Sequence, residues 1–289
     1  MIKNYLSLVK FSHTVFAMPF ALIGFFLALK ISHKEIISSE NLQLLVLVVL
    51  DMIFARNAAM GFNRWLDRII DKKNPRTAVR EIPSGIIKSK YALWFVIINS
   101  VLFLITTWFM NQLVFILAPV ALAVVLGYSY TKRFTWLCHF ILGLGLSLAP
   151  VGSYLAVTGS FSLLPILFSL TVLLWTAGFD IIYALQDEEF DKQNNLKSIP
   201  TLIGKKNALR LSSFAHLLTA GFIIWAGIVG ADFLGLWYWA GAFFFSSSLI
   251  YQHIIIKPDD LSKVNLAFFT TNGIASIVFA VFTLVSLYV

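Results

Sequence analysis

Cysteine is nearly missing from this chain. Cys138 is the only one in 289 residues, so an intrachain disulfide and a multi-cysteine metal site are both excluded. Charge is scarce as well. Asp, Glu, Lys and Arg make up 12% of the sequence, about half the share of a soluble domain. No polar block between apolar runs exceeds about thirty residues, which leaves no room for a separate soluble domain. The first apolar run follows two lysines, Lys3 and Lys10, but has no small-x-small cleavage motif after it. It reads as a retained first helix rather than a removed signal peptide.

What the chain does have is hydrocarbon: 59% of residues are hydrophobic and the mean hydropathy is +0.84. The apolar residues fall into nine segments, near 12–30, 41–63, 91–110, 112–130, 136–157, 162–183, 208–230, 234–256 and 264–288. Each is long enough to cross roughly 30 Å of hydrocarbon. The expectation is an all-α integral membrane protein of nine transmembrane helices, with residues 1–289 forming one domain in the lipid bilayer. Prolines 19, 119, 150 and 165 lie in or beside spans, where neighbouring helices can satisfy freed carbonyls.

The net charge of +8 does not point to nucleic acid, because the basic residues sit in short loops between spans. With the N-terminus inside, the inner side receives Lys3, Lys10, the 64–90 loop, Lys132, Arg133, the 192–210 segment, Lys257 and Lys263. The outer side receives only Lys30 and Lys34. That asymmetry predicts a cytoplasmic N-terminus, with both long polar loops, 64–90 and 184–207, on the cytoplasmic side of a bacterial-type inner membrane.

The first of these loops follows a helix carrying Asn63, Asp67 and Asp71 at four-residue spacing, within about 80° of one another on one face. Arg56, seven residues before Asn63, lies about 20° from it. Asp67 and Asp71 repel each other by roughly 3 kcal/mol at about 6 Å and an effective dielectric of about 20. A cation belongs between them. The sixth span ends in a similar way, with Asp180, Tyr183, Asp187 and Asp191 on one helical face and a basic loop after them. Asp67 and Asp187 are 120 residues apart, a spacing that suggests an internal duplication. Glu188 and Glu189 point elsewhere and read as solvated.

A lone Asp at a helix end is ordinarily a cap or an interface residue. Two acidic sets at span ends on the same side are harder to explain that way, since ionisable groups at membrane depth are costly and tend to mark function. Together they offer enough oxygen ligands for about two Mg²⁺ ions, which readily share their coordination with phosphate. Arg56, Arg64, Arg68, Lys72, Lys73, Arg76 and Arg80 add positive charge suited to phosphate oxygens. A diphosphate site opening into the bilayer points to a lipid diphosphate. Metal ions stabilise its departure, and with an allylic prenyl chain this leaves a carbocation that an aromatic face such as Tyr183 can stabilise. An ion-coupled transporter is the reading from another class. It predicts carboxylates near the bilayer midplane rather than at one edge.

These residues resemble the UbiA superfamily of intramembrane prenyltransferases over nearly the whole chain. The family's first motif, N-D-x-x-D-x-x-x-D, is matched by Asn63, Asp67 and Asp71, and its second, D-x-x-Y-x-x-x-D-x-x-x-D, by Asp180, Tyr183, Asp187 and Asp191. Arg56, the segment from Arg80 through Pro83 to Gly85, the loop of Tyr130, Lys132 and Arg133, and the opening from Lys10 through His13 to Pro19 are further matches. Position 64 departs from the pattern: it is Arg where the family often has Asp. This removes a possible supporting carboxylate and adds either a phosphate-facing cation or a solvated side chain.

The resemblance implies nine helices around a central cavity, under a cytoplasmic helix-loop cap. It implies Mg²⁺-dependent transfer of a polyprenyl group from polyprenyl diphosphate to a ring carbon of an aromatic acid. The acceptor it favours is 4-hydroxybenzoate, in quinone biosynthesis. The alternatives are a dihydroxynaphthoate in menaquinone synthesis and, in the same fold, haem, a chlorophyll precursor or a glycerol lipid. Metal ions would be held by Asn63, Asp67, Asp187 and Asp191, with Asp71 and Asp180 in support. Asp67, Asp71, Asp187, Asp191 and Tyr183 would carry the catalysis. Arg56, Asn63, Arg76, Lys132, Arg133 and Lys197 would bind diphosphate or the acceptor carboxylate.

Among the remaining polar residues, Asp51 lies mid-span about 120° from Asn63 and reads as a hydrogen-bonding partner of a neighbouring helix. His13 reads as bonded within the bundle or lining the cavity. His139, His216 and His253 read as structural or interfacial. Gly143, Gly145 and Gly152 suggest close helix approach in the fifth span.

Overall fold

A computed structural model describes residues 2–9 and 16–289. Lys10 and His13, singled out above, lie outside the described residues. The chain forms helices α1 (Ile2–Leu8), α2 (Met18–Ile31), α3 (Ser39–Lys73), α4 (Ser89–Trp108), α5 (Gln112–Thr131), α6 (Cys138–Thr158) and α7 (Leu163–Ala184). They continue with α8 (Glu188–Gln193), α9 (Ile199–Val229), α10 (Leu236–Ile255) and α11 (Asn272–Tyr288). Among the described residues there is no strand. Seven of the helical runs are long and apolar enough to cross a membrane: α3, α4, α5, α6, α7 continued through α8, α9, and α11 with the π-turn Leu266–Thr271 before it.

Neighbours in sequence pack as neighbours in space. From α3 and α4 the bundle passes through α5, α6, α7, α9 and α10 to α11, and α2 closes it against α11, α6 and α3. The core is aromatic. Phe20, Trp175, Phe245 and Phe279 interlock edge-to-face or tilted at centroid distances of 5.4–6.1 Å, a geometry that ring quadrupoles favour. The indole of Trp175 donates to Asn272 Oδ1 at 2.8 Å, and Gln252 donates to the same oxygen at 2.7 Å.

Close approach is bought with glycine at two crossings. A Cβ at Gly24 of α2 would stand 2.1 Å from the Pro150 carbonyl oxygen, and one at Gly143 of α6 would stand 2.3 Å from the Leu173 carbonyl oxygen. Neither neighbour is a side chain that could turn aside. Gly143→Ala is therefore expected to destabilise the bundle by about 1–3 kcal/mol, read as a lowered unfolding temperature. Gly152, by contrast, has nothing within 4 Å of a built Cβ, so it is not a packing requirement.

Three expectations need correcting. The first polar loop does not begin at residue 64. α3 runs on to Lys73, 35 residues in all, or about 52 Å, well beyond a hydrocarbon layer of about 30 Å. Asn63, Asp67 and Asp71 therefore ride on one rigid helix that outreaches the bilayer. Ser38 caps its start by accepting from Asn41 N–H at 3.1 Å, and only 74–88 is non-helical. That segment is not loose. Ile82 and Ile87 pack with Leu8 of α1, Ala92, Trp65 and Phe95.

The second acidic run is not one continuous α-helix. α7 stops at Ala184, Leu185–Asp187 tighten into a 3₁₀ turn, and α8 follows. Each 3₁₀ residue turns about 20° further than an α-helical one, so Asp191 is turned by about 60° from where a continuous α-helix would place it relative to Asp180. The seventh span also begins earlier than the apolar pattern suggests, at Ile199. A reciprocal Ser198–Thr201 capping box opens it, and Gly204 breaks it at φ 74°.

Candidate active site

The two acidic sets meet at one end of the bundle, where α3 and α7–α8 converge with the α5–α6 turn. Asn63 donates to Asp67 Oδ2 at 3.2 Å, one turn along the helix. Arg133, just past α5, donates to Asp67 Oδ1 at 2.8 Å. Arg80 holds both oxygens of Asp71, at 2.7 and 2.8 Å.

Asn74, which ends α3, crosses to the other motif and donates to Asp187 Oδ1 at 3.3 Å, while its own oxygen accepts the Arg76 N–H at 2.9 Å. Arg76 forks onto Asp187 through Nε, at 3.1 Å, and Nη2. Its Nη1 donates to the Tyr183 hydroxyl at 2.9 Å, and the guanidinium lies 5.3 Å from that ring. Lys132 reaches Asp191 Oδ1 at 2.8 Å. Every Asp of the two motifs thus has a basic partner.

These cations hold their charge. Burial disfavours the Lys132 ammonium, but the negative charge of Asp191, with that of Asp187, outweighs it and raises the group above its ordinary value. For Arg76 burial is again the largest opposing cause, and again Asp187 and Tyr183 overcome it and raise the guanidinium.

Asp180 is the exception in kind, because its partner is His139. Nδ1 of His139 lies 2.7 Å from Asp180 Oδ2, and Nε2 accepts the backbone N–H of Ile199 at 3.3 Å. Since Nε2 accepts, the ring proton sits on Nδ1 and is donated to Asp180. His139 therefore ties the second motif to the first residue of α9. Reading His139 as structural or interfacial did not identify Asp180 as its partner. Neither spacing nor composition links positions 139 and 180.

Glu188 is likewise not solvated. It is buried and accepts from Lys192 at 2.6 Å, whereas Glu189 is exposed. Tyr128 was also missed. It lies within electrostatic reach of Asp67, Asp180 and Arg64, between the two acidic sets, and one helical turn before Lys132.

Other expected binders stand apart from the carboxylates. The Lys197 ammonium donates to the Phe134 carbonyl at 3.1 Å and sits 4.8 Å from the Trp136 ring. Lys72 and Lys73 are exposed. Arg68 folds back on Trp65, donating to its carbonyl at 2.6 Å. Arg64 is not solvated: it is 7% exposed, and its Nε has no hydrogen-bond partner. His216 and His253 bond each other at 2.9 Å between α9 and α10, away from the acidic sets.

Below the carboxylates a cavity of about 390 Å³ opens between α3, α4, α5 and α6. Arg56, Met60 and Tyr128 line the end toward the site, and Val48, Met110, Val114 and Phe161 the far end. A polar, charge-dense mouth on a long apolar chamber suits an amphiphile with an anionic head.

The UbiA prenyltransferase family matches residues 17–274. The chain belongs to that family. Two relatives are named 4-hydroxybenzoate octaprenyltransferase. The one from Aliivibrio fischeri (strain MJ11) is 31% identical over 252 residues, covering 84% of each chain. The one from Serratia proteamaculans (strain 568) is 32% identical over 247 residues, covering 83% of this chain and 81% of its own. Among solved structures, the apo UbiA homolog from Aeropyrum pernix K1 superposes with a TM-score of 0.78 at 28% identity, over 95% of this chain and 96% of that one. The UbiA homolog from Archaeoglobus fulgidus bound to GPP and Mg²⁺ shares the fold, with a TM-score of 0.72 at 22% identity over 99% and 100% of the two chains. This chain is accordingly a prenyltransferase of the UbiA family.

Proposed function

We propose that the protein transfers a polyprenyl group from polyprenyl diphosphate to a ring carbon of an aromatic acid, 4-hydroxybenzoate, in quinone biosynthesis. The reading takes residues 1–289 as one domain of nine transmembrane helices in a bacterial-type cytoplasmic membrane. The N-terminus and the 74–88 cap face the cytoplasm. The observation that carries it is the meeting of two acidic motifs, each charge-paired, beside Tyr128, which with Arg56 lines the near end of an apolar cavity.

The donor set fits Mg²⁺. The Asp oxygens and the Asn63 amide are hard ligands, and both oxygens of the fully buried Asp191 carboxylate lack a well-aligned hydrogen-bond donor despite the nearby Lys132. Among the described residues no three acidic or His side chains are yet close enough to share one ion; in this state each carboxylate holds a basic side chain instead. Asn63, Asp67, Asp187 and Asp191 would hold the metal, with Asp71 and Asp180 in support, and Mg²⁺ would supply charge stabilisation for the leaving diphosphate.

The chain's own residues divide the remaining work. Arg76, Lys132 and Arg133 exchange carboxylates for phosphate oxygens when the diphosphate enters, as bidentate and point-charge partners suit. The carbon–oxygen bond breaks with its electron pair leaving on the diphosphate. The Tyr183 face, backed by Phe268 at a centroid distance of 4.2 Å, meets the allylic cation. Arg56, at the top of the cavity, holds the acceptor carboxylate. The ring carbon ortho to the phenol forms the new bond, and the ring proton passes to the departed diphosphate. Arg76 and Arg80 anchor the 74–88 segment over the reacting centre and keep out water that would quench the cation.

The test supplies membranes holding the protein with polyprenyl diphosphate, Mg²⁺ and either 4-hydroxybenzoate or a dihydroxynaphthoate. Diphosphate release that requires 4-hydroxybenzoate and stops on adding EDTA is the expected result. Product from the naphthoate alone would reassign the acceptor. Release that continues in EDTA would refute the metal site.

A further inference from the structure

Asp51 is a carboxyl group that the transfer chemistry does not use. It stands on α3 twelve residues before Asn63, about 18 Å further into the bundle. As the sequence suggested, it is bonded to a neighbouring helix: Thr106 Oγ1 of α4 lies 2.8 Å from Asp51 Oδ1. It also lines the cavity wall, beside Met52, Ala55 and Phe103. The chamber continues past it to Val48 and Met110. A polar group on this apolar wall needs a reason, because hydrocarbon laid over it offers no hydrogen bond.

We infer that Asp51, steadied by Thr106, is a specificity-determining residue that disfavours donors whose prenyl chain runs beyond it. The inference rests on the proposed function, in which the cavity receives the prenyl chain. With the diphosphate at the carboxylates, geranyl diphosphate ends short of Asp51 and leaves its carboxyl to cavity water. An octaprenyl chain has to pass the carboxyl and cover it. One hydroxyl partner cannot satisfy all of a carboxyl's bonding sites, so the cost falls on long chains only.

The experiment measures kcat/KM for octaprenyl and for geranyl diphosphate on the same preparation, so that any loss of folded enzyme cancels from their ratio. Asp51→Leu is expected to raise the octaprenyl-to-geranyl ratio by about tenfold or more, the scale of one uncompensated polar burial. Asp51→Asn keeps a polar group and should stay near the wild-type ratio. Thr106→Val withdraws the partner and should lower it, which decides the matter if Asp51→Leu does not fold. A wild-type ratio in Asp51→Leu, or a raised one in Thr106→Val, overturns the inference. A wild-type protein that transfers neither donor refutes the functional reading beneath it instead.

Discussion

Asp67→Asn and Asp187→Asn should each lower prenyl transfer by at least about a hundredfold, the scale seen when one preorganised charge contact is lost from a transition state. The two residues stand on different elements, α3 and the turn after α7, yet Asn74 at the end of α3 and Arg76 just beyond it both bond Asp187. Asn preserves shape and removes charge. Their cation partners are partly open to solvent, at 31% for Arg133 and 35% for Arg76, so neither change strands a fully buried cation. Initial rates with saturating acceptor are the measurement, and unfolding temperatures close to wild type would show that chemistry rather than folding was lost. Wild-type rates in either variant would remove that residue from the site.

Lys132→Met tests the opposite partner. Asp191 has a side chain 1% exposed, and without Lys132 its charge would remain buried with no cation. Removing one member of a buried pair typically costs 3–5 kcal/mol. Lys132 itself is 34% exposed, so water partly replaces it and roughly 3 kcal/mol is expected. The double variant Lys132→Met with Asp191→Asn should recover most of that stability, because no stranded charge is left, while transfer stays low in both. Denaturant unfolding of the three proteins measures it. A single Lys132 variant as stable as wild type would mean that the ammonium does not hold Asp191 in the folded chain.

The first acidic motif was legible because a helix converts spacing into direction. Asn63, Asp67 and Asp71 stand where a 3.6-residue period puts them, and the helix is simply longer than the apolar run that announced it. The second motif was legible in residue type and less so in geometry. Whether Leu185–Asp187 tighten into a 3₁₀ turn is decided by packing around Leu185 and the burial of Asp191, and local propensity carries no trace of it. Partners were the least legible of all. His139 meets Asp180 across 41 positions, and Arg133 meets Asp67 across 66. Those pairings depend on how α5 and α6 lean on α3 and α7. The basic loops showed cations in plenty but not which of them turn inward. Arg76 and Arg80 do, Lys197 settles on Trp136, and Arg64 is buried where a solvated side chain was one reading.

In the proposed function the carboxylates trade basic side chains for metal when a prenyl diphosphate arrives. The most direct measurement is the unfolding temperature of the protein with a non-reactive prenyl thiodiphosphate, in Mg²⁺ and in EDTA, since a ligand that binds only the folded state raises it. The predicted result is a rise that needs both analogue and Mg²⁺ and disappears when Asp67 and Asp187 are both changed to Asn. An equal rise in EDTA would contradict the account, because the basic residues alone would then be holding the diphosphate.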